Sequence, residues 1–137
     1  MEAKPVVVGV DGSEESKRAL RWAARYAEQA AAPLHPLLAW EEPTNYGWPT
    51  YYDDVDFQEK AREKLNEVVR EVLGDLPTGF TVQHGHAAAA LIDASKRAGL
   101  LVVGQRGHGE FHDRLLGSVS QHCVHHAHCP VVVVRGD

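Results

Sequence analysis

Short apolar runs that alternate with stretches of helical period constrain this chain more than any other feature. Val6–Val10 has no polar alternation, the pattern of a strand buried on both faces of a parallel sheet. Ser13 then offers an N-cap, with Glu14 and Glu15 in the first turn. Leu20, Ala23, Ala24, Ala27 and Ala31 recur at helical spacing up to Pro33. Leu34–Trp40 reads as a second strand. Ala61, Leu65, Val68 and Val72 trace a second amphipathic helix, ended by Gly74 and Pro77. Phe80–Val82 is a short third strand, Ala87–Ala98 an alanine-rich helix capped by Gly99, and Leu100–Val103 a fourth strand. Ser118–Ala127 reads as the last helix and Val131–Val134 as the fifth strand.

Five strands separated by four helices predict a doubly wound, Rossmann-like α/β fold, with helices on both faces of a five-stranded parallel sheet. Right-handed crossovers favour the order 3-2-1-4-5, which sets strands one and four side by side. Chain winding reverses there, and a crevice opens at the carboxyl ends of those two strands. With 137 residues, one domain over 1–137 is expected, large enough for a genuine core.

Two polar, glycine-bearing turns leave the sheet at that crevice. One is Gly9-Val10-Asp11-Gly12-Ser13. The other is Gly104-Gln105-Arg106-Gly107-His108-Gly109, which runs on to Gly117-Ser118. Glycines at a strand exit let backbone N–H groups approach a ligand, and a helix N-terminus suits phosphate. The N–H groups of Gly104–Gly109 and of Gly117–Val119 are therefore the expected phosphate site, assisted by the Ser118 and Ser120 hydroxyls and by the charge of Arg106 and His108. Ser118-x-x-Gln121 also reads as a capping box, which explains both residues without a ligand. Ala39, ending the second strand, is placed beside a bound base by the strand order. Asp11 before Gly-Ser is also a common turn former. The spacing Gly-x2-Gly-x9-Gly-Ser matches neither the Walker pattern nor the dinucleotide fingerprint.

That spacing resembles the nucleotide loop of the universal stress protein family. So do Val6-Val-Val-Gly-Val-Asp11-Gly12-Ser13, Leu20-Arg-Trp22-Ala23-Ala24, and Gly117-Ser-Val-Ser120 running into His125-His126-Ala127 and Cys129-Pro130-Val131. The resemblance covers essentially the whole chain. It implies an adenine nucleotide alpha hydrolase-like fold and a small cytoplasmic stress or dormancy protein, usually homodimeric, whose glycine-motif branch binds ATP with Mg2+. It also implies that an acid at Asp11 contacts the nucleoside or its metal. The chain departs from the family pattern in the nine-residue spacer, where Glu110, His112, Asp113 and Arg114 replace residues that are commonly small or apolar. An acid near polyphosphate lowers affinity.

Catalysis has little support, for there is no Walker Lys, no assignable general base and no paired carboxylates beyond Asp53-Asp54. ATP is expected as a ligand, with slow hydrolysis or phosphate transfer at most. An alternative function is a zinc site, since His122 and His126 fall one turn apart on a helix dense in His and Cys. Cys123 and Cys129 are otherwise expected as free thiols. The connection Glu41–Asp54 carries Tyr46, Trp48, Tyr51 and Tyr52, and a long aromatic loop of this kind suits a protein contact. Val131–Val134, at the sheet edge without charge or internal proline, is expected to pair antiparallel with a second copy. A net charge of −5 leans against nucleic acid as partner. No apolar run is long enough to span a membrane, and Glu2 and Lys4 do not open a signal sequence.

Overall fold

The computed structural model describes residues 3–42, 56–76, 78–106 and 116–136. The elements run β1 (Val6–Gly9), α1 (Glu14–Ala30), β2 (Leu34–Trp40), α2 (Phe57–Leu73), β3 (Thr81–His84), α3 (Ala87–Ser95), β4 (Leu100–Gly104), α4 (Ser118–His126) and β5 (Val131–Val134). All pairings are parallel, and the sheet order is β3-β2-β1-β4-β5, as the alternation of runs and helices predicts. The aromatic connection carrying Tyr46, Trp48, Tyr51 and Tyr52 lies outside the described residues, as do Gly107, His108, Gly109 and the acidic part of the spacer.

The period of two along β1 divides the core. Val6, Val8 and Val10 point toward α1 and α2, where they pack with Leu20, Ala23, Leu65 and Val68. Val7 points the other way, and joins Leu37, Leu101 and Val103 beneath Ala90 and Leu91 of α3 and Cys123 of α4. At roughly 1.5–3 kcal/mol per fully buried aliphatic side chain, these two layers supply the main stabilisation.

Pro36 lies inside β2, an interior strand, where a missing N–H would ordinarily leave a gap in the ladder. The carbonyls of Leu34 and Trp40 face the β3 side, accepting from Thr78 Oγ1 (3.0 Å) and Gly85 N–H (2.8 Å). Pro36 shares that orientation, and β3 pairs only from Leu37 onward, so no ladder bond is lost.

Several boundaries differ from the sequence reading. Strand β1 stops at Gly9, although Val10 N–H still reaches Leu37 O at 2.9 Å. Strand β3 begins one residue after Phe80 and runs on to His84, because its partner is the outer half of β2. Helix α1 closes three residues before Pro33, with Ala31 in the left-handed region at φ 54°. Helix α3 ends at Ser95 and not Ala98. The chain tightens there into bonds from Lys96, Arg97 and Ala98 back to residues three positions earlier, while Gly99 N–H leaves for Pro5 O at 2.9 Å. Gly99 is therefore no helix cap. A Cβ there would sit 3.3 Å from Lys4 Cβ, so its smallness serves the approach of the first residues before β1.

Candidate functional site

Strand order places the ends of β1 and β4 side by side, and a crevice of about 260 Å³, open to solvent, lies above them. Its lining includes Gly9, Asp11, Ala39, Gly104, Arg106, Gly117, Ser118, Val119 and Ser120, all of them residues singled out from the sequence. Leu37, Ala39, Leu91 and Val103 form its apolar side, and Ala87 closes it from the start of α3. Leu91 and Ala87 were not expected there. They come from a helix whose sequence shows only an apolar face, and only the topology brings that helix over the strand ends.

The glycines at the two strand ends are first of all packing residues. A Cβ at Gly9 would lie 2.9 Å from Leu91 Cδ1 of α3, and one at Gly104 would lie 3.0 Å from the backbone carbonyl of Glu15 in α1. Each lets a helix from one face of the sheet close over the strand end. Both still border the crevice.

The turn after β1 is knitted by its own side chains. Asp11 Oδ1 accepts from Ser13 N–H at 2.9 Å and from Ser13 Oγ at 2.5 Å. Ser13 Oγ in turn caps α1 by accepting from Ser16 N–H at 3.1 Å. Ser16 Oγ donates to Ser13 O at 2.9 Å and accepts from Asp11 N–H at 3.3 Å. Asp11 therefore shapes its turn, and also presents a half-buried carboxylate to the crevice.

The start of α4 is built differently. Its N-cap is Gly117, not Ser118, and no side chain caps it; the capping box Ser118-x-x-Gln121 does not form. The first bond of the helix runs from Gln121 N–H to Gly117 O at 2.9 Å. The N–H groups of Ser118, Val119 and Ser120 thus belong to the opening turn, which carries the positive end of the helix dipole.

Three assignments within the phosphate site are corrected. Gln105 N–H is spent on Val134 O at 2.9 Å, and Gly117 N–H on Gln105 O at 2.8 Å, so neither donates to a ligand. Gln105 is buried and lies outside the crevice lining. The Ser120 hydroxyl donates to Gly104 O, pinning α4 to the end of β4. These three groups hold the cradle in place, leaving Ser118, Val119 and Arg106 as its described polar contacts. Arg106 forms an ion pair with Glu15 of α1, Nη2 to Oε1, at 3.5 Å.

The histidine-rich face of α4 turns away from the sheet. His122 and His126 are exposed, with ring centroids 6.2 Å apart, and His122 Nδ1 is 2.8 Å from Ser118 O. Cys123 is fully buried in the layer with Val119 and Ala127, and burial pushes its thiol up to about 11. A thiol so held is protonated at neutral pH and a poor metal ligand. Among the described residues, no three His, Cys, Asp or Glu side chains are grouped to hold a metal ion. Both cysteines are free. Also among the described residues, no helix is long and apolar enough to cross a membrane.

The universal stress protein family model matches residues 2–135. A universal stress protein of Mycolicibacterium smegmatis is 43% identical over 143 residues, an alignment covering 96% of this chain and 48% of that protein. The chain spans about half the length of the curated relatives it matches. A universal stress protein solved in complex with cAMP superposes with a TM-score of 0.69 at 27% identity, covering 100% of both chains. A family protein from Arabidopsis thaliana, solved with AMP bound, shares the fold with a TM-score of 0.63 at 23% identity, over 98% of this chain and 92% of that one.

Proposed function

The chain belongs to the universal stress protein family, and from that premise we propose that it is a cytoplasmic adenine-nucleotide-binding regulatory protein that holds ATP as a ligand. The observation that carries the reading is the opening turn of α4, without a capping side chain, at the point where the winding of the sheet reverses. Phosphates lie against the N–H groups of Ser118 and Val119, with the Ser118 hydroxyl and Arg106 beside them. The base lies on Ala39, Leu37 and Val103. The cAMP complex of a structural neighbour supports an adenine nucleotide as the ligand.

Asp11 is the one carboxylate lining the crevice among the described residues. With Oδ1 engaged by Ser13, it fits the single protein ligand that Mg2+ commonly takes beside a polyphosphate, which supplies the other oxygens. The metal would supply charge neutralisation there. Asp11 would orient it, and the Ser13 tether would keep Asp11 in place.

Calorimetry with ATP tests this reading, with binding expected below millimolar ligand and no binding at millimolar ligand overturning it. Regulatory use of ATP further requires slow consumption. Steady-state turnover is expected well below about one per second, the low end of the usual enzyme range, in protein cleared of contaminating ATPases.

We further propose that β5 pairs antiparallel with its copy in a homodimer. It is an edge strand in which each of the four valines is only partly buried. Residues of a parallel strand face alternate sides. Since Pro130 O and Val134 O accept from β4 and the turn after it, Val132 faces β4 and Val133 faces the open edge. Val133→Pro is therefore the variant that removes an intersubunit donor, and sedimentation should show weakened association. A wild-type monomer at tens of micromolar, or a dimer indifferent to Val133→Pro, contradicts the proposal.

A further inference from the structure

The one cation lining the crevice among the described residues does not stand alone. Arg106 Nη2 is 3.5 Å from Glu15 Oε1, and the same oxygen is 3.4 Å from Arg18 Nη1. The Glu15 side chain is 15% exposed and Arg106 22%, whereas Arg18 is 43% exposed on the outer side. Glu15 itself does not line the crevice.

We propose that Glu15 holds Arg106 back from incoming phosphate, and so sets how strongly the crevice favours the more highly phosphorylated nucleotide. The inference rests on the nucleotide reading above and names a specificity residue behind its site. Two features make Glu15 a fixed counter-charge. Its backbone lies against Gly104, where a Cβ would come within 3.0 Å, and its carboxylate lies against Gly136, where a Cβ would fall on Oε1. The carboxylate is thus packed beside Gly136, just past the end of β5. Its Oε2 has no hydrogen-bond partner among the described residues, so the negative charge is balanced by the two arginines and not by backbone donors.

Sharing of one oxygen by two arginines makes the arrangement switchable. A phosphate in the crevice can draw Arg106 toward itself while Arg18 stays on Oε1, so the half-buried carboxylate is never stripped of a counter-ion, the situation that is strongly destabilising. At the same time Glu15 opposes every added phosphate charge through a partly buried, weakly screened setting. A nucleoside without phosphate does not sense either effect.

The test is calorimetric affinity of the full chain for ATP, AMP and adenosine, in wild type, Glu15→Gln, Arg106→Gln and the double variant. Glu15→Gln is expected to raise ATP affinity about fivefold, at the low end of measured couplings between sites, to raise AMP affinity less, and to leave adenosine unchanged. In the Arg106→Gln background the gain should vanish. Glu15→Asp, whose shorter arm draws the carboxylate back, should shift the ATP-to-adenosine ratio in the same direction, and it serves if the Gln variant does not fold. A wild type that binds ATP but whose ratio is unmoved or lowered by these changes overturns this inference alone, as does a gain that persists without Arg106. A wild type that binds none of the three probes overturns the proposed function and this inference with it.

Discussion

Two helices begin at the same crevice, α1 after β1 and α4 after β4, and their first turns are finished in opposite ways. At α1 the Ser13 hydroxyl takes the Ser16 N–H, Asp11 takes Ser13, and Ser16 returns a bond to the turn. At α4 the cap is a glycine, and no side chain caps the helix from that position. A helix start exposes the same donors wherever it occurs, and side chains, water or ligand must satisfy them. At the α1 start the Ser13 and Ser16 N–H groups are satisfied by side chains of the same turn, and the turn makes structure. The α4 start is held from behind, through Ser120 on Gly104 O and Gly117 N–H on Gln105 O, while Ser118 and Val119 line the crevice. Identical backbone chemistry thus becomes a cap in one place and a site in the other.

The severest way to break this contrast is Gly117→Glu. Backbone angles of φ −64° and ψ 163° admit any residue, and an acid at the N-terminus of a helix interacts favourably with its dipole. The fold should survive, as a thermal melt would show. The carboxylate would occupy the phosphate position, and like-charge juxtaposition costs several kcal/mol, so ATP affinity should fall by at least about a hundredfold. Retained binding would place the phosphates elsewhere.

A second test compares the strand ends beneath the two helices. Gly104→Ala drives a methyl to 3.0 Å from the backbone of Glu15, which cannot move without shifting α1. Overpacking of this kind should destabilise by about 2 kcal/mol. Gly9→Ala meets only the end of the Leu91 side chain, which has other rotamers, and should destabilise by about half as much. Denaturant midpoints would check the ranking, and equal losses would contradict it.

The frame of this site was legible in the sequence for a physical reason. Apolar runs without alternation specify buried parallel strands, and handedness then leaves few orders, so Asp11, Ala39, Gly104 and Ser118 could be brought to one crevice from chain order alone. What escaped depends on partners far along the chain. Whether Gln105 N–H is available is decided by the register of β5, and the Ser120 hydroxyl by the proximity of α4 to β4. Ser118 reads as a cap because capping signals are local, and a one-residue shift of the helix start moves the role to Gly117. The link between Glu15 and Arg106 spans most of the chain and leaves no local pattern.

Ser13→Ala probes the sealed end alone. Loss of an N-cap hydroxyl should lower stability by about 1 kcal/mol, a fall of roughly 3–6 °C in melting temperature for a domain of this size. Asp11 would lose the hydroxyl bond but keep the one from the N–H of residue 13, and with it its place at the crevice, so ATP affinity should fall less than tenfold, read by calorimetry. A loss as large as that from Gly117→Glu would mean that the β1 turn, and not the α4 start, is the principal site.

The smallest expected effect is also the most direct interrogation of the contrast. Gly117→Ser converts the open end toward the closed one, since a serine at the N-cap accepts from an N–H two or three residues on, as Ser13 does from Ser16. Stability should rise by only a few tenths of a kcal/mol, because glycine is itself an acceptable N-cap. ATP affinity should nevertheless fall, by about threefold to tenfold, since the new hydroxyl and the phosphate compete for the same donors and the loss of one neutral hydrogen bond amounts to about 1 kcal/mol. The two changes carry opposite signs for one cause, which separates competition at the helix start from any general loosening of the fold. A Gly117→Ser protein that is stabilised but binds ATP as the wild type does would show that the opening turn of α4 is not where phosphate is held.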